Sequence, residues 1–525
     1  MYRILISDPL DPAGIAILRD SGADVHLLPA EERHRLPELL PDFDALVVRS
    51  MTQVTADLLD AGKRLKVVGR AGIGVDNVDV KAATERGILV VNAPTANVIS
   101  ATEHTFALLL SLARRVPDAC ASLRGGAWER KKFVGVELSG KALGVVGFGR
   151  IGQRVAARAR AFEMEVLAYD PFLGDEAAKR LGVELLDLDE LLERSDVVTL
   201  HTPLTDATRH LLDGERLRRM RQGALLINCG RGGVVDEQAL VEVLDEGHLA
   251  GAALDVFSRE PVEDLTLVQH PKVVVTPHIG AQTREAQERI STQTAHMILE
   301  SLGGSLAVTA VNLPFASTGV RGEPYLALGE RLGRLAGSLF DGGLEGIEVR
   351  FWGVEENLQL PVGVAVLKGA LTPFLGESLN FVNAERVAAS RGIEVVRSVH
   401  SGSMGYPQLV EVEVRGTEGT RQVAGTFFGE GDSRVVFLDH QRLEFRPHGR
   451  LLLVRNADVP GVIGRLGTLL GEASVNIGDI HLARDRANQQ ALAVLRIDSE
   501  VPAEVLERVL ADAQVEAVRQ IDLGR

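Results

Sequence analysis

Val145-Val146-Gly147-Phe148-Gly149-Arg150-Ile151-Gly152 is the stretch that decides how this chain folds. It completes an apolar run, Ala142–Val146, with the composition of a buried parallel strand, and it opens a segment (150–162) with helical patterning. Glycines at 147, 149 and 152 let a turn pass close to a pyrophosphate, whose charge would face the amides at the helix N-terminus. A second apolar run, Glu165–Tyr169, ends in Asp170, eighteen residues beyond Gly152. A carboxylate there is placed to accept hydrogen bonds from a ribose diol and would repel a 2′-phosphate. The expected cofactor is therefore NAD rather than NADP. Three glycines at this spacing are a weak signal alone; strand, turn, helix, strand and acid in order are a strong one.

The chain has 525 residues, too many for one core, so several domains are expected. Its net charge of −15 argues against nucleic acid as a partner, because phosphate neutralisation needs a basic face. Only two cysteines occur, Cys120 and Cys229, which excludes a disulfide framework and fits a reducing compartment. The N-terminal run 4–7 reads as a strand, not a secretion signal, and no apolar run approaches about 18 residues. The expectation is a cytoplasmic protein without a membrane partner or a metal site.

Around the nucleotide loop the chain alternates strands and helices. Runs 4–7, 45–49, 66–68 and 88–91 precede a long amphipathic helix over 97–115, which leads into a second series with strands near Val145, Val166, Val197, Leu225, Ala252 and Val273. A helix over 283–301 follows, broken by Gly303-Gly304, and could cross back to the first series. Residues 316–324 read as a linker. Residues 325–445 mix one long helix with strand-like runs at 348–352 and 408–414. The end of the chain reads β-α-β-β-α-β over 451–455, 462–471, 477–482, 491–497, 503–513 and 517–521, a ferredoxin-like pattern.

Three side chains follow strands beyond the glycine loop: Arg231 in Cys229-Gly230-Arg231-Gly232-Gly233, Glu260 before Pro261, and His278 in Thr276-Pro277-His278-Ile279-Gly280. In a doubly wound sheet, ligands bind beyond the carboxyl ends of strands, so the three can converge. An imidazole suits proton abstraction from an alcohol near neutral pH, and an adjacent carboxylate would favour its protonated form. A guanidinium offers a planar fork to a carboxylate. Arg49, followed by Ser50, and Arg70, in Arg70-Ala71-Gly72-Ile73-Gly74, end earlier strands, and Asn92 ends a third. Two further guanidinium forks beside one cleft suit a phosphorylated substrate better than a single carboxylate. Arg130 and Lys132, in a short basic group, are further candidates.

Together, Gly147–Gly152, Asp170, Cys229–Gly233, Asp255, Glu260 and Thr276-Pro277-His278 resemble the D-isomer-specific 2-hydroxyacid dehydrogenases. The resemblance covers about residues 1–312. It implies Arg231, Glu260 and His278 as the catalytic trio, with His278 as acid/base, and a cofactor lined by Ile73, Arg150, Ile151, Thr202, Cys229, Gly230, Asp255, Gly280 and Ala281. Shorter members, such as hydroxypyruvate, glyoxylate and lactate dehydrogenases, end near residue 312. This chain continues.

Ser378-Leu379-Asn380-Phe381-Val382-Asn383-Ala384 resembles the intervening domain of the long phosphoglycerate-oxidising branch, and Asn456–Gly464 with Ser474–Ile477 resembles an ACT domain, a dimerising module that binds amino acids. That branch implies oxidation of D-3-phosphoglycerate, with L-serine as effector near Asp458 and Asn476, and a homo-oligomer, tetramer or dimer. Arg130 to Lys132 would reach a neighbouring subunit's cleft. The alternative is a reductase of hydroxypyruvate, glyoxylate or 2-oxoglutarate. The fold expected is α/β: two doubly wound parallel-sheet domains, a split outer domain (1–98 and 283–312) and a Rossmann NAD domain (99–282). An α+β intervening domain (313–446) and a ferredoxin-like ACT domain (450–525) follow.

Overall fold

Five parallel strands build the first sheet, in the order Asp24–Leu27, Arg3–Ile6, Ala45–Val48, Val67–Arg70, Leu89–Asn92. The central residues of all but the edge strand Asp24–Leu27 are buried, as expected of strands covered by helices on both faces. The computed structural model describes residues 1–304, 310–316, 318–376, 379–429, 431–439, 441–485 and 487–524. Ser378, quoted above, lies outside them.

The second sheet has seven parallel strands, ordered Val273–Val275, Gly251–Leu254, Leu225–Asn228, Val197–Leu200, Ala142–Val146, Glu165–Tyr169, Glu184–Leu185. Chain order reverses between Ala142–Val146 and Val197–Leu200, and a crevice opens there at the carboxyl ends. Helix Val98–Arg114 makes the crossing: it leaves the first sheet and buries Phe106, Leu108, Leu109 and Leu112 against the second. Helix Arg284–Leu302 returns to the first sheet. A Cβ on Gly14 would lie 2.1 Å from Ser291 Oγ, and one on Gly69 would lie 2.6 Å from Ile298 Cδ1, so these two glycines set how closely that helix docks.

Six strands form a mixed sheet. Glu394–His400 runs parallel to Leu344–Trp352, and Leu409–Gly416, Gly419–Phe427, Ser433–Leu438 and Gln441–Phe445 continue it in antiparallel fashion. Two expectations are corrected here. Residues 319–324 are helical, not linker: helix Gly319–Gly337 includes Pro324. The region also holds two long helices rather than one, the second being Glu356–Leu375.

The reason is packing. A Cβ on Gly329 would lie 3.0 Å from Val362 O, one on Gly333 2.0 Å from Val366 O, and one on Gly337 2.2 Å from Ala370 O. Glycines every four residues bring the two backbones into contact, and the burial gained overrides weak helix propensity. Glu356–Leu375 is also long and apolar enough, by length and composition, to cross a membrane; most of it is buried inside this domain instead.

The last sheet is antiparallel, in the order Ile477–Asp485, Gln490–Ile497, Arg450–Ala457, Val515–Asp522, with helices Val462–Glu472 and Ala503–Leu510 on one face. This is the ferredoxin-like arrangement expected. Its other face joins the core of the mixed-sheet domain, where Leu453, Val494 and Ile521 share one buried cluster with Val349 and Phe351.

Because the contact at Gly333 is with backbone, it cannot yield by a rotamer change. Gly333→Ala should cost about 1–3 kcal/mol of unfolding free energy, read as a lower urea midpoint; an unchanged midpoint would disprove the close approach.

Candidate active site

The glycine loop fits an anion by subtraction. Gly147 has φ +91°, and a Cβ on it would lie 2.8 Å from His201 O; a Cβ on Gly152 would lie 2.3 Å from Gly147 O. Those two glycines serve the tight turn and the close packing of helix on strand. Gly149 differs: nothing lies within 4 Å of its missing Cβ, and helix Arg150–Ala161 presents its first amides there without a side-chain cap. Asp170 Oδ2 accepts from the Phe148 amide at 2.8 Å and Oδ1 from the Phe172 amide at 2.9 Å, which fixes the carboxylate beside the loop.

Across the crevice, Thr202 Oγ1 is buried without a hydrogen-bond partner among the described residues. Arg150 Nη1 donates to Pro94 O at 3.2 Å, and Ile151 packs part-buried beneath the loop. Open space, free amides, a positioned acid and an unpaired hydroxyl are the groups a dinucleotide requires. Among the described residues, no group of three His, Cys, Asp or Glu is disposed to hold a metal ion.

His278 stands three residues past strand Val273–Val275, in the left-handed region at φ 53°. Its Nδ1 lies 2.7 Å from Glu260 Oε2, while Glu260 Oε1 accepts from the Phe257 amide at 3.0 Å. Burial raises the Glu260 carboxyl, but the bonds from His278 and from the Phe257 amide outweigh it and hold the group below the usual range. An ionised carboxylate only accepts, so Nδ1 carries the proton and Nε2 is left for the cleft.

Asp255, 1% exposed, ties down the turn behind this pair. It accepts from Thr276 Oγ1 at 2.6 Å and from the Ile279 and Gly280 amides at 2.8 Å each, while its carbonyl accepts from the His278 amide at 2.9 Å. Ala281 O accepts from Gln287 Nε2 at 2.8 Å, joining this turn to the returning helix.

Arg231 enters from strand Leu225–Asn228. Asn228 folds the turn: its Oδ1 accepts from the Gly230 amide at 3.1 Å, and its Nδ2 donates to Arg231 O at 3.0 Å. Arg231 Nη1 donates to Gly230 O at 2.8 Å, and its Nε lies 3.2 Å from Asp76 Oδ2, across from the first sheet. Arg70 shares this space. Burial is the main cause that lowers Arg70 to about 10; Arg231 and Arg49 add like charge, against Asp76 and Asp8. Three guanidinium groups therefore sit in one field.

Gly72 and Gly74 are glycines for a visible reason: a Cβ would lie 1.6 Å from Arg70 Nη1 or 2.2 Å from Arg231 Nη2. Ile73 O, between them, accepts from Asn92 Nδ2. Ser50 is exposed beside Arg49.

Several of these positioning groups were not among the sequence candidates. Asp8 accepts from the Arg49 amide at 2.7 Å and from Thr52 Oγ1 at 2.8 Å; Asn77 Nδ2 donates to Arg49 O and Thr52 O, each at 2.6 Å. Asp8, Asn77, Asp76 and Asn228 lie in or beside strand-end segments, the one signal that could have found them; His104, within helix Val98–Arg114, carries no such signal. Other candidates are not brought to the cleft. Arg130 and Lys132 lie exposed on the turn Arg130–Lys132, with Lys132 Nζ 2.5 Å from Glu129 Oε1.

Asp458 and Asn476 stand at opposite ends of the last sheet, because Asn456 pairs with Ala491 whereas Ile477 pairs with Ile497. That is about 20 Å at ~3.3 Å per residue. Asp458 is bound by Arg484 Nε at 2.8 and 3.0 Å, and Asn476 Nδ2 donates to Asp498 at 2.6 Å.

Comparison with known proteins agrees with this geometry. Residues 106–280 match the NAD-binding domain of D-isomer specific 2-hydroxyacid dehydrogenases, 321–439 the D-3-phosphoglycerate dehydrogenase intervening domain, and 450–513 the ACT domain. The chain is 41% identical to the D-3-phosphoglycerate dehydrogenase of Methanocaldococcus jannaschii and 39% to that of Bacillus subtilis, over 100% of each chain in both cases. Among solved structures, it resembles the D-lactate dehydrogenase of Aquifex aeolicus complexed with NAD and lactic acid. There the TM-score is 0.51 at 31% identity, covering 58% of this chain and 96% of that one.

Cys229, at the floor of the crevice, differs sharply from the exposed Cys120. Burial pushes its thiol up to about 12, with a Thr105 hydrogen bond opposing and Asp255 reinforcing. Iodoacetamide at pH 8 should label Cys120 alone in the native protein and both thiols in urea; native labelling of Cys229, seen by peptide mass, would contradict this environment.

Proposed function

The chain belongs to the D-3-phosphoglycerate dehydrogenases, within the D-isomer-specific 2-hydroxyacid dehydrogenase family, and from that membership we propose how its residues divide the work. The enzyme oxidises D-3-phosphoglycerate with NAD to 3-phosphohydroxypyruvate, the first step of L-serine biosynthesis. The cofactor, when bound, supplies the hydride acceptor; the Gly147–Gly152 loop, Asp170 and Thr202 would hold it. Arg231 grips the substrate carboxylate, and Arg49 with Arg70 take the phosphate. His278 Nε2 accepts the C2 hydroxyl proton, and Glu260 stabilises the resulting imidazolium.

The observations that carry this reading are the crowding of Arg49, Arg70 and Arg231 in one field and the pairing of His278 with Glu260. In an assay of NADH formation, His278→Gln should lose about 10²–10⁴-fold in kcat. Arg70→Ala should raise KM for D-3-phosphoglycerate while leaving NADH affinity unchanged. Turnover of unphosphorylated D-glycerate equal to that of D-3-phosphoglycerate would overturn the phosphate assignment.

We further propose that L-serine binds between two copies of the C-terminal sheet. Within one chain Asp458 and Asn476 are too far apart to share a ligand. Antiparallel apposition of two copies along the edge strand Ile477–Asp485 would bring the Asp458 end of one to the Asn476 end of the other. That edge leaves Ile480 42% and Leu482 47% exposed. The enzyme is then a homo-oligomer, at least a dimer and by family expectation a tetramer, and we place it in the cytoplasm. The proposed domain limits are 1–98 with 283–312, 99–282, 313–446 and 450–525. Serine at millimolar concentration should lower the initial rate, and Asp458→Ala should abolish the effect; an indifferent wild-type rate removes the regulatory assignment and leaves the catalytic one.

A further inference from the structure

His104 lies on helix Val98–Arg114, with its side chain only 15% exposed among apolar neighbours that face the second sheet. Its Nε2 is 3.0 Å from Thr276 Oγ1 and 3.1 Å from Asp255 Oδ1. Counting protons fixes the direction of these contacts. The Asp255 carboxylate only accepts, and Thr276 spends its one hydroxyl proton on Asp255 Oδ1 at 2.6 Å. The remaining proton belongs to His104 Nε2, which donates to both.

Without that donor, the side of Asp255 facing the helix would be a buried charge short of one bond. Asp255 in turn holds the amides of Ile279 and Gly280 through its carboxylate and that of His278 through its carbonyl. These bonds keep His278 in a left-handed backbone conformation that a non-glycine residue adopts only when its surroundings enforce it.

We propose that His104 is a positioning residue for the reaction. It donates to Asp255 and Thr276, locks the turn from Thr276 to Gly280, and so aims the His278 imidazole at Glu260 and the cleft. The assignment rests on the role given to His278 above. The His104 Nε2 is spent on Asp255 and Thr276, so it acts through them.

Two variants of the full chain separate positioning from packing. His104→Leu keeps the volume and removes the donor; His104→Gln keeps an N–H donor of similar reach. The expected result is a kcat about 10- to 100-fold lower for His104→Leu. KM for D-3-phosphoglycerate should stay within about twofold, since the arginines that bind it do not pass through His104. His104→Gln should recover most of the rate. Wild-type kcat in His104→Leu overturns the proposal, as does equal loss in both variants with a common fall in thermal midpoint.

A crystal structure of His104→Leu gives a readout independent of turnover. The turn should shift and the His278 Nδ1 to Glu260 Oε2 distance should exceed the 2.7 Å seen here, with His104→Gln restoring it. An unmoved turn overturns the proposal whatever substrate the enzyme takes. Wild-type enzyme inert toward D-3-phosphoglycerate counts against the reaction and not against His104.

Discussion

Holding guanidinium charge inside a cleft with too few carboxylates is costly, and Arg70 registers that cost directly: burial and the charges of Arg231 and Arg49 bring it down to about 10. Asp76 and Asp8 balance the cluster only in part, and Asp8 has other work. Asp8 accepts from the backbone of Arg49 and from Thr52, and it pairs with Arg33 at 3.3 Å. A dianionic ligand would complete the set. The local sequence serves this crowding. Gly72 and Gly74 clear the space that Arg70 and Arg231 occupy, and Asn77 staples the loop carrying Arg49. Substrate affinity thus comes from charges that the fold brings together at its own expense, the usual relation between strained sites and function.

The nucleotide side follows the opposite rule, suppressing charge where it would compete. His201, directly under the glycine loop, is driven down to about 4 by burial and stays neutral at physiological pH, its Nε2 3.0 Å from Thr199 Oγ1. Cys229 stays a thiol for the same reason. Asp255 is kept ionised at depth, because His104, Thr276 and the Ile279 amide stabilise its charge more than burial penalises it. One buried acid therefore organises the strand ends, while the exposed pair of His278 and Glu260 is left free to exchange protons with a ligand.

What was legible in the sequence was local. The glycine loop, Asp170, the trio Arg231, Glu260 and His278, and the β-α-β-β-α-β ending each declare themselves within one or two elements, where periodicity and turn chemistry suffice. What escaped depended on partners far along the chain. Asp8 and Thr52 meet across two strands, His104 and Asp255 across most of a domain, and neither pair has a local signature. The misread linker at 319–324 has the same origin: Gly322 and Pro324 look like breakers until the glycine face of that helix is set against Val362, Val366 and Ala370. Opposite placement of Asp458 and Asn476 likewise follows from sheet register, which the spacing of two motifs does not reveal.

Among the described residues, two joints of unequal stiffness connect the C-terminal sheet to the cleft. The first is stiff, because Leu453, Val494 and Ile521 share a core with Val349 and Phe351, so the last two sheets move together. The second is smaller among the described residues: Asn380 Nδ2 donates to Gly87 O at 2.6 Å, Arg386 pairs with Glu85, and Asn312, bonded to Val90 and Ile88, leads to Phe315 in the mixed-sheet core. A half-exposed ion pair of that kind contributes only about 0–1 kcal/mol. Beyond it, strand Leu89–Asn92 ends in Asn92, which holds Ile73 O between the two glycines that accommodate Arg70 and Arg231. A ligand at the C-terminal sheet would change the cleft through this joint by preferring one setting of it over another. A ligand that bound both settings equally would leave turnover untouched however tightly it bound.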